Sequence, residues 1–232
     1  MLGARRCVLQ MFPERYSVMV VGPPDAGIFD FCAYLASFYL RNGQNVVMIE
    51  TDTSKAFLRR QLRNFGARHE EYEDSSLIII DCFSEPSSLD NPEHYCSPSA
   101  LPELLDKIKT ASESMAEPVR IIFDSLSSLH IYSEPEKVKE FLVKLSELAK
   151  KRGSLTATLH EDMHSRGQID SLGELCNGQI EMRIDEKMKR YIRIIKMESL
   201  EVEPKWVLFD IEPAASSDGA ALVWKKGGAE EE

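Results

Sequence analysis

Apolar and polar residues alternate along the first two thirds of the chain in a way that predicts strands and helices in turn. Short apolar runs predict five strands, at residues 16–22, 46–50, 77–81, 119–124 and 155–159. Between them, apolar residues recur at helical spacing and predict helices at residues 28–40, 53–65, 99–115 and 135–152. Alternating strands and helices are typical of a mainly parallel sheet that carries helices on both faces.

The pattern changes in the last third of the chain. Four strand-like runs follow one another with short polar connections, at residues 178–184, 190–197, 205–211 and 220–224. Consecutive short strands indicate antiparallel pairing at one edge of the sheet. We therefore predict an α/β fold in a single domain over residues 1–224. The last eight residues, 225–232, are polar and end in three glutamates, which predicts a disordered acidic tail.

The net charge and the cysteine content of the chain argue against some classes of protein. The 232 residues are 43% hydrophobic and 28% charged, which is ordinary for a globular domain, and the formal net charge is −10. Proteins that bind nucleic acid on their own are more often basic, so we expect no autonomous nucleic-acid binding. The five cysteines are odd in number and form no C-x-x-C, which favours buried free thiols in a reducing cytoplasm. The first residues predict neither a signal peptide nor a membrane anchor.

The most informative motif lies between the first strand and the first helix. It keeps the G-x-x-x-x-G frame of a phosphate-binding loop and comprises Gly22, Pro23, Pro24, Asp25, Ala26, Gly27, Ile28 and Phe29. In that loop a Lys and then a Ser or Thr follow the second glycine, to reach the phosphates and Mg²⁺. Ile28 and Phe29 can do neither, and Asp25 adds a negative charge. The loop is thus predicted to be vestigial, with no cofactor and no metal, and Phe29 is a candidate to plug the vacated phosphate site.

Three acidic residues end predicted strands, where sites lie in open α/β sheets. They are Glu50, Asp81 and Asp124. Taken singly, such residues are most simply solvated turn or cap residues. Together with the loop they indicate the remains of a nucleotide site, in which Asp124 would hold the Mg²⁺ shell and Glu50 would polarise an attacking water.

The chain as a whole resembles a known family. The stretches that carry the resemblance are residues 12–24, 43–50, 62–66, 77–81, 121–129 and 190–197, in this order and spacing. Over about residues 12–224 the chain is similar to the RecA-type ATPases, in particular to the archaeal KaiC-like branch that includes stand-alone RadA paralogues. The resemblance implies a RecA-like three-layer α/β domain with a mainly parallel sheet and antiparallel strands at its C-terminal edge.

The resemblance also implies roles for individual residues. It makes residues 22–29 a Walker A loop, Glu50 the catalytic acid and Asp124 the Walker B acid, and it places Thr51 where the family often has a second Glu. A basic pair on a late strand normally reaches the γ-phosphate of a neighbouring subunit; Lys196 holds its first position, and Glu198 stands where Arg is usual. With the loop Lys, the hydroxyl and the Arg all missing, we expect negligible hydrolysis and no catalytic residue.

These losses favour a pseudo-ATPase that works by binding, as a regulatory or scaffolding protein in signal transduction or beside an active relative. Family members assemble through subunit faces, which implies a homo- or hetero-oligomer with RecA or KaiC relatives. The first alternative is an unorthodox nucleotide-binding ATPase that uses Lys196 or a neighbour's residue in place of the missing Lys.

A second alternative rests on the motif His160-Glu161-Asp162-Met163-His164, which matches the H-E-x-x-H of zinc hydrolases. That chemistry needs both histidines on one turn of a helix. The preceding residues predict a strand, and Gly167 follows closely, so a coincidental match is favoured. The segment 161–177 corresponds to the DNA-contacting loop of recombinases, but its one basic residue is Arg166, which argues against DNA contact.

Overall fold

A nine-stranded sheet forms the centre of the computed structural model, which describes residues 13–85, 92–198, 201–212 and 221–224. In chain order the strands are β1 (Tyr16–Gly22), β2 (Asn45–Glu50), β3 (Leu77–Asp81), β4 (Val119–Asp124), β5 (Gly153–His160), β6 (Gly178–Ile184), β7 (Arg190–Met197), β8 (Val207–Glu212) and β9 (Ala221–Trp224). Their order across the sheet is β3-β2-β4-β5-β1-β6-β7-β8-β9.

The pairing confirms the predicted mainly parallel sheet with antiparallel strands at its C-terminal edge. The pairs between β3 and β6 in this order are parallel, and those from β6 to β9 are antiparallel. One detail differs from the expectation: β6, the first of the four late strands, pairs in parallel with β1 on one side and antiparallel with β7 on the other. The change of direction therefore falls after β6, at the hairpin that leads into β7.

Six α-helices lie within the described residues. They are α1 (Ile28–Arg41), α2 (Lys55–Asn64), α3 (Leu101–Glu113), α4 (Leu126–Tyr132), α5 (Pro135–Arg152) and α6 (Arg166–Gly173). Four short 3₁₀ turns accompany them, at Pro24–Ala26, His69–Glu71, Pro92–His94 and Glu161–Met163. The helices α4 and α6 were not predicted from the sequence pattern. The predicted acidic tail, residues 225–232, lies outside the described residues.

Helices cover both faces of the parallel strands, so the core has two parts. Val18 and Val20 of β1 point to one side, where they pack with the buried residues of α1 and α2, whereas Met19 and Val21 point to the other side, toward α3 and α5. This division follows from the alternation of side chains along a strand. No helix within the described residues is long and apolar enough to cross a membrane.

Candidate functional site

The carboxyl edge of the parallel sheet brings the strand-end acids into one row. Glu50 lies opposite Asp81 on one neighbouring strand and opposite Asp124 on the other. All three residues are almost fully buried. The loop of residues 22–29 begins at the same edge, because β1 ends there at Gly22. The structure thus places the predicted loop and the predicted acids at one edge, as the sequence pattern indicates.

The loop itself folds into a 3₁₀ turn, Pro24–Ala26, and then into Gly27, whose φ of 83° is in the left-handed region. The N–H of Ala26 donates to the carbonyl of Pro23 (3.0 Å), and the N–H of Gly27 donates to that of Pro24 (3.3 Å). Proline has no N–H. These residues therefore offer few donors to a phosphate, whereas in a functional loop successive backbone N–H groups cradle the phosphates.

The two positions that would carry the phosphate-binding Lys and the Mg²⁺-binding hydroxyl serve to pack α1. Ile28, the first residue of α1, is fully buried in the core on the α1 and α2 side of the sheet. Phe29 is half-buried, and its ring lies 5.1 Å from the ring of Phe57 on α2. The ring of Phe29 is thus directed toward α2, and its role as a plug of the phosphate site stays a prediction. Asp25 is exposed on the loop.

A cation that the sequence analysis did not single out lies against the loop. The guanidinium of Arg190, at the start of β7, packs on Gly27, and its Nη1 lies 3.2 Å from Oδ2 of Asp30 in an ion pair. Gln61 donates a hydrogen bond to the other oxygen of Asp30 (2.9 Å). The loop, α1, α2 and β7 are thereby joined by one polar contact chain. Nothing in the local sequence pattern pairs residues so far apart.

Gly27→Ala is expected to destabilise the protein by about 2 kcal/mol, because an L residue at this φ is strained and its Cβ, 2.9 Å from the Arg190 guanidinium, would displace that group from its ion pair with Asp30. Gly43→Ala is the matched control, since Gly43 has a φ of 72° but no heavy atom within 4 Å of an added Cβ. We expect it to cost only about 1 kcal/mol. Urea unfolding of both variants measures the difference; equal costs would show that Arg190 does not press on the loop.

Among the three strand-end acids, Glu50 has a buried carboxylate oxygen without a hydrogen-bond partner in the described part of the chain. Its Oε2 accepts a hydrogen bond from the Thr53 hydroxyl (2.8 Å), but its Oε1 has no hydrogen-bond partner among the described residues. Burial raises the pKa of Glu50 well above its ordinary value, and the nearby charge of Asp124 raises it further. The folded structure thus disfavours the ionised form of Glu50.

Asp124 is held in place but is also destabilised as an anion. The Thr158 hydroxyl donates a hydrogen bond to Oδ1 of Asp124. Burial raises the pKa of Asp124 to about 6, against the lowering effect of that hydrogen bond. Asp81 instead caps the turn after β3, because its Oδ1 accepts hydrogen bonds from the N–H groups of Phe83 (2.9 Å) and Ser84 (2.7 Å). The interpretation as a turn cap, which the sequence left open for single acids, holds for Asp81.

A polar network beside Asp124 was missed by the sequence analysis. Asp52 accepts hydrogen bonds from Ser125 (2.8 Å) and Ser128, and its Oδ2 lies 2.7 Å from Nε2 of His160. Burial alone would raise the pKa of Asp52, but these three hydrogen bonds lower it. Burial would likewise lower the pKa of His160, but its bond to Asp52 raises it. An Asp52–His160 ion pair thus lies beside Asp124 at the carboxyl edge of the sheet.

The geometry of residues 160–164 does not fit a zinc hydrolase. His160 is the last residue of β5, Glu161–Met163 is a single 3₁₀ turn, and His164 is extended. His160 contacts Asp52, whereas His164 lies 2.9 Å from the Ser127 hydroxyl, so the two imidazoles serve separate contacts. Within the described part of the chain no group of His, Cys, Asp or Glu could hold a metal ion.

Lys196 is far from the acids that the resemblance groups with it. It pairs with Gln179 near the start of β6, at the sheet edge opposite the loop, and its Nζ lies 3.4 Å from Glu174. Glu198 follows at the same edge, where its carboxylate accepts a hydrogen bond from Asn177. Within one chain Glu50 and Asp124 are therefore brought together, and Lys196 is not brought to them.

Comparisons with known proteins identify the family of the chain and proteins that share its fold. The KaiC ATPase family model ("ATPase: KaiC") matches residues 6–217. The UPF0273 protein MK0039 of Methanopyrus kandleri is 24% identical over 160 residues, which are 67% of this chain and 63% of that protein. The chain thus matches somewhat under two thirds of the length of this curated relative.

Two solved structures share the fold. The KaiC-like protein PH0186 of Pyrococcus horikoshii OT3 superposes with a TM-score of 0.68 at 23% identity, and 91% of each chain is covered. The flagellar accessory protein FlaH of Methanocaldococcus jannaschii superposes with a TM-score of 0.71 at 16% identity, again with 91% of each chain covered. At these identities the structures establish the fold alone. With the family match spanning nearly the whole sequence, the chain belongs to the KaiC-like family of RecA-type ATPases.

Proposed function

We propose that this chain is a catalytically inactive KaiC-like domain, a pseudo-ATPase that acts as a regulatory or scaffolding binding partner. The observation that carries the proposal is the use of the two key loop positions for packing. Ile28 is fully buried and Phe29 contacts Phe57, so neither position can hold a phosphate or a metal ion. An active ATPase site needs cations, such as the loop Lys and Mg²⁺, at the phosphate that is transferred.

The buried acids support the same proposal. In an ATPase, carboxylates at the ends of neighbouring strands balance the charge of Mg²⁺. Here burial and the charges of neighbouring carboxylates raise the pKa values of Glu50 and Asp124. The cation nearest to Asp124 in this network is the chain's own His160, which Asp52 engages. The chain thus balances part of the charge of these acids with its own residues.

A binding role is consistent with a chain that keeps the fold of an ATPase family without the Lys and the hydroxyl of its phosphate-binding loop. We infer a cytoplasmic protein that forms a homo- or hetero-oligomer with RecA or KaiC relatives, in signal transduction or as an accessory to an active paralogue. One structural neighbour is named a flagellar accessory protein, which is in keeping with an accessory role. We further infer one domain over residues 1–224, a disordered tail at residues 225–232 and no autonomous nucleic-acid binding.

An unorthodox nucleotide-binding ATPase is the second candidate, and Arg190 is the observation that favours it. Its guanidinium lies against Gly27 of the loop and is the chain's own cation at this place. Arg190 is, however, already engaged by Asp30. A phosphate would have to compete with that carboxylate and with the exposed charge of Asp25. We therefore place this candidate second, and the separated imidazoles of His160 and His164 give the zinc hydrolase no support.

Steady-state phosphate release with Mg-ATP tests the proposed inactivity. The expected turnover of the wild-type protein equals that of a Glu50→Gln variant and of a protein-free blank. Glu50→Gln is an informative comparison because it removes the acid that would polarise water while leaving the side chain similar in size. Turnover by the wild type that disappears in Glu50→Gln would overturn the pseudoenzyme proposal. Pull-down from native cytosol, followed by reconstitution with the purified partner, tests the binding role separately.

A further inference from the structure

Two cysteines lie side by side at the end of β3. A parallel bridge pairs Asp81 with Tyr95, and the N–H of Cys96 donates to the carbonyl of Asp81 (3.1 Å). Cys82 and Cys96 each follow directly after a residue of this bridge. Paired strands run about 4.8 Å apart, and disulfides join residues whose Cα atoms are about 4.4–6.8 Å apart. Residues that directly follow a parallel bridge are thus expected near the Cα spacing that a disulfide requires.

The side chains also share one environment. Cys82 and Cys96 are 4% and 0% exposed, and both belong to the core cluster on the α3 and α5 side of the sheet. Both thiols are free in this structure. Cys32 belongs to the core cluster on the other face. Cys176 belongs to the same cluster as the pair, but it follows α6 and lies next to the central strand β1. Of the four described cysteines, only this pair follows a common backbone bridge.

We propose that Cys82 and Cys96 form a dithiol pair that is oxidised to an intramolecular disulfide by thiol–disulfide exchange with a low-molecular-weight disulfide. The thiolate of one cysteine attacks a sulfur of that disulfide, forms a mixed disulfide and releases one small thiolate. The second cysteine, after losing its proton to solvent, attacks the protein sulfur of the mixed disulfide and releases the other small thiolate. One disulfide is reduced for each disulfide formed, so electrons and atoms balance.

The environment sets the expected rate. Burial raises the pKa of Cys82, and the neighbouring Cys96 raises it further; burial also raises the pKa of Cys96 to about 11. Because the thiolate is the nucleophile, exchange is expected to be slow at neutral pH and to accelerate nearly tenfold per pH unit up to about pH 9–10. This inference does not depend on the proposed loss of ATPase activity. The bond would fasten the chain around Cys96 to the turn that Asp81 caps.

The test uses the full chain with Cys7, Cys32 and Cys176 replaced by serine, so that only the proposed pair remains. Glutathione disulfide at pH 8.5 is the probe. We expect intact mass to show the loss of two hydrogens, peptide mapping to join Cys82 to Cys96, and Tm to rise by roughly 5–10 °C. Dithiothreitol should reverse all three changes. Cys82→Ser and Cys96→Ser in this background should give a mixed disulfide at most.

Two results would overturn the proposal. One is a native protein that keeps both thiols, or stops at the mixed disulfide, under conditions in which the urea-unfolded chain becomes cross-linked. The other is a cross-link that forms but lowers Tm, because the backbone would then not be arranged for the bond. Should the serine background not fold, wild-type protein treated in the same way and mapped by peptide mass spectrometry decides the question, since a link to Cys32 or Cys176 in place of the pair also contradicts the proposal.

Discussion

Replacing Glu50 with Gln is expected to stabilise the folded protein at pH 8, by on the order of 1–3 kcal/mol. Glu50 is fully buried, its Oε1 has no partner among the described residues, and Asp124 lies opposite it on the next strand. An ionised carboxylate in this position therefore costs free energy that a neutral amide of similar size avoids. In an enzyme that uses this acid, the cost would be offset by a bound cation.

The stability gained by Glu50→Gln should increase with pH. The folded-state pKa values of Glu50 and Asp124 are raised, and that of Asp124 is about 6 against an ordinary value of 3.8. A group with a raised folded pKa favours the folded state below its ordinary pKa, and this stability is lost as pH rises through the folded value. The gain in Glu50→Gln should thus be largest at pH 8 and should fade toward pH 4.

Urea unfolding at several pH values measures the effect, and Glu147→Gln is the matched control. Glu147 is an exposed residue of α5, so its replacement should change the free energy of unfolding little at any pH. A Glu50→Gln variant that is less stable than the wild type at pH 8 would contradict the prediction. It would mean that the Glu50 carboxylate makes favourable interactions strong enough to outweigh its burial.

Ile28→Lys is expected to destabilise the protein by about 3–5 kcal/mol, although it restores the residue that a phosphate-binding loop normally has. Ile28 is fully buried at the start of α1, so the change removes a packed aliphatic side chain and forces an ammonium toward an apolar core. Phe29→Ser should cost less, about 1–3 kcal/mol, because Phe29 is only half-buried and loses mainly its contact with Phe57.

Denaturant unfolding of the two single variants and of the double variant measures these costs. We expect the free energy of unfolding to be much lower for Ile28→Lys than for Phe29→Ser. The double variant should gain no affinity for ATP. An Ile28→Lys protein as stable as the wild type that binds ATP would show that the side chain at this position faces the phosphate site. Nucleotide binding by the loop could then be restored by substitution, and the position would not serve packing alone.

The sequence pattern predicted the parallel strands well because each one is a continuous apolar run bounded by polar residues or glycine. For β1 the predicted and observed limits are the same, and β5 extends the predicted 155–159 to Gly153–His160. The helices α4 and α6 were missed because they are short, with seven and eight residues, and so show less than the periodicity of a longer helix. A signal did exist for α6: Ser165 and Gln168 form a capping box, with the spacing that the motif requires.

The candidate site was predictable in its strand-end residues but not in its side-chain partners. Glu50 and Asp124 follow apolar runs, and parallel strands align such ends. The contact between Asp52 and His160 joins residues 108 positions apart, and that between Asp30 and Arg190 joins residues 160 apart. Such pairs depend on how the sheet is assembled, which periodicity does not reveal. Burial of Ile28 followed from helical spacing, whereas the direction of Phe29 depended on α2.

Calorimetric titration of the purified protein with Mg-ATP and Mg-ADP is the decisive test of the proposed function, which requires that the loop no longer receives a nucleotide. We expect no saturable heat at ligand concentrations up to about the millimolar range, where specific binding would be evident. An Asp124→Asn variant should give the same flat titration. Micromolar affinity in the wild type that weakens in Asp124→Asn would contradict the account, and would show that the site is altered but still in use.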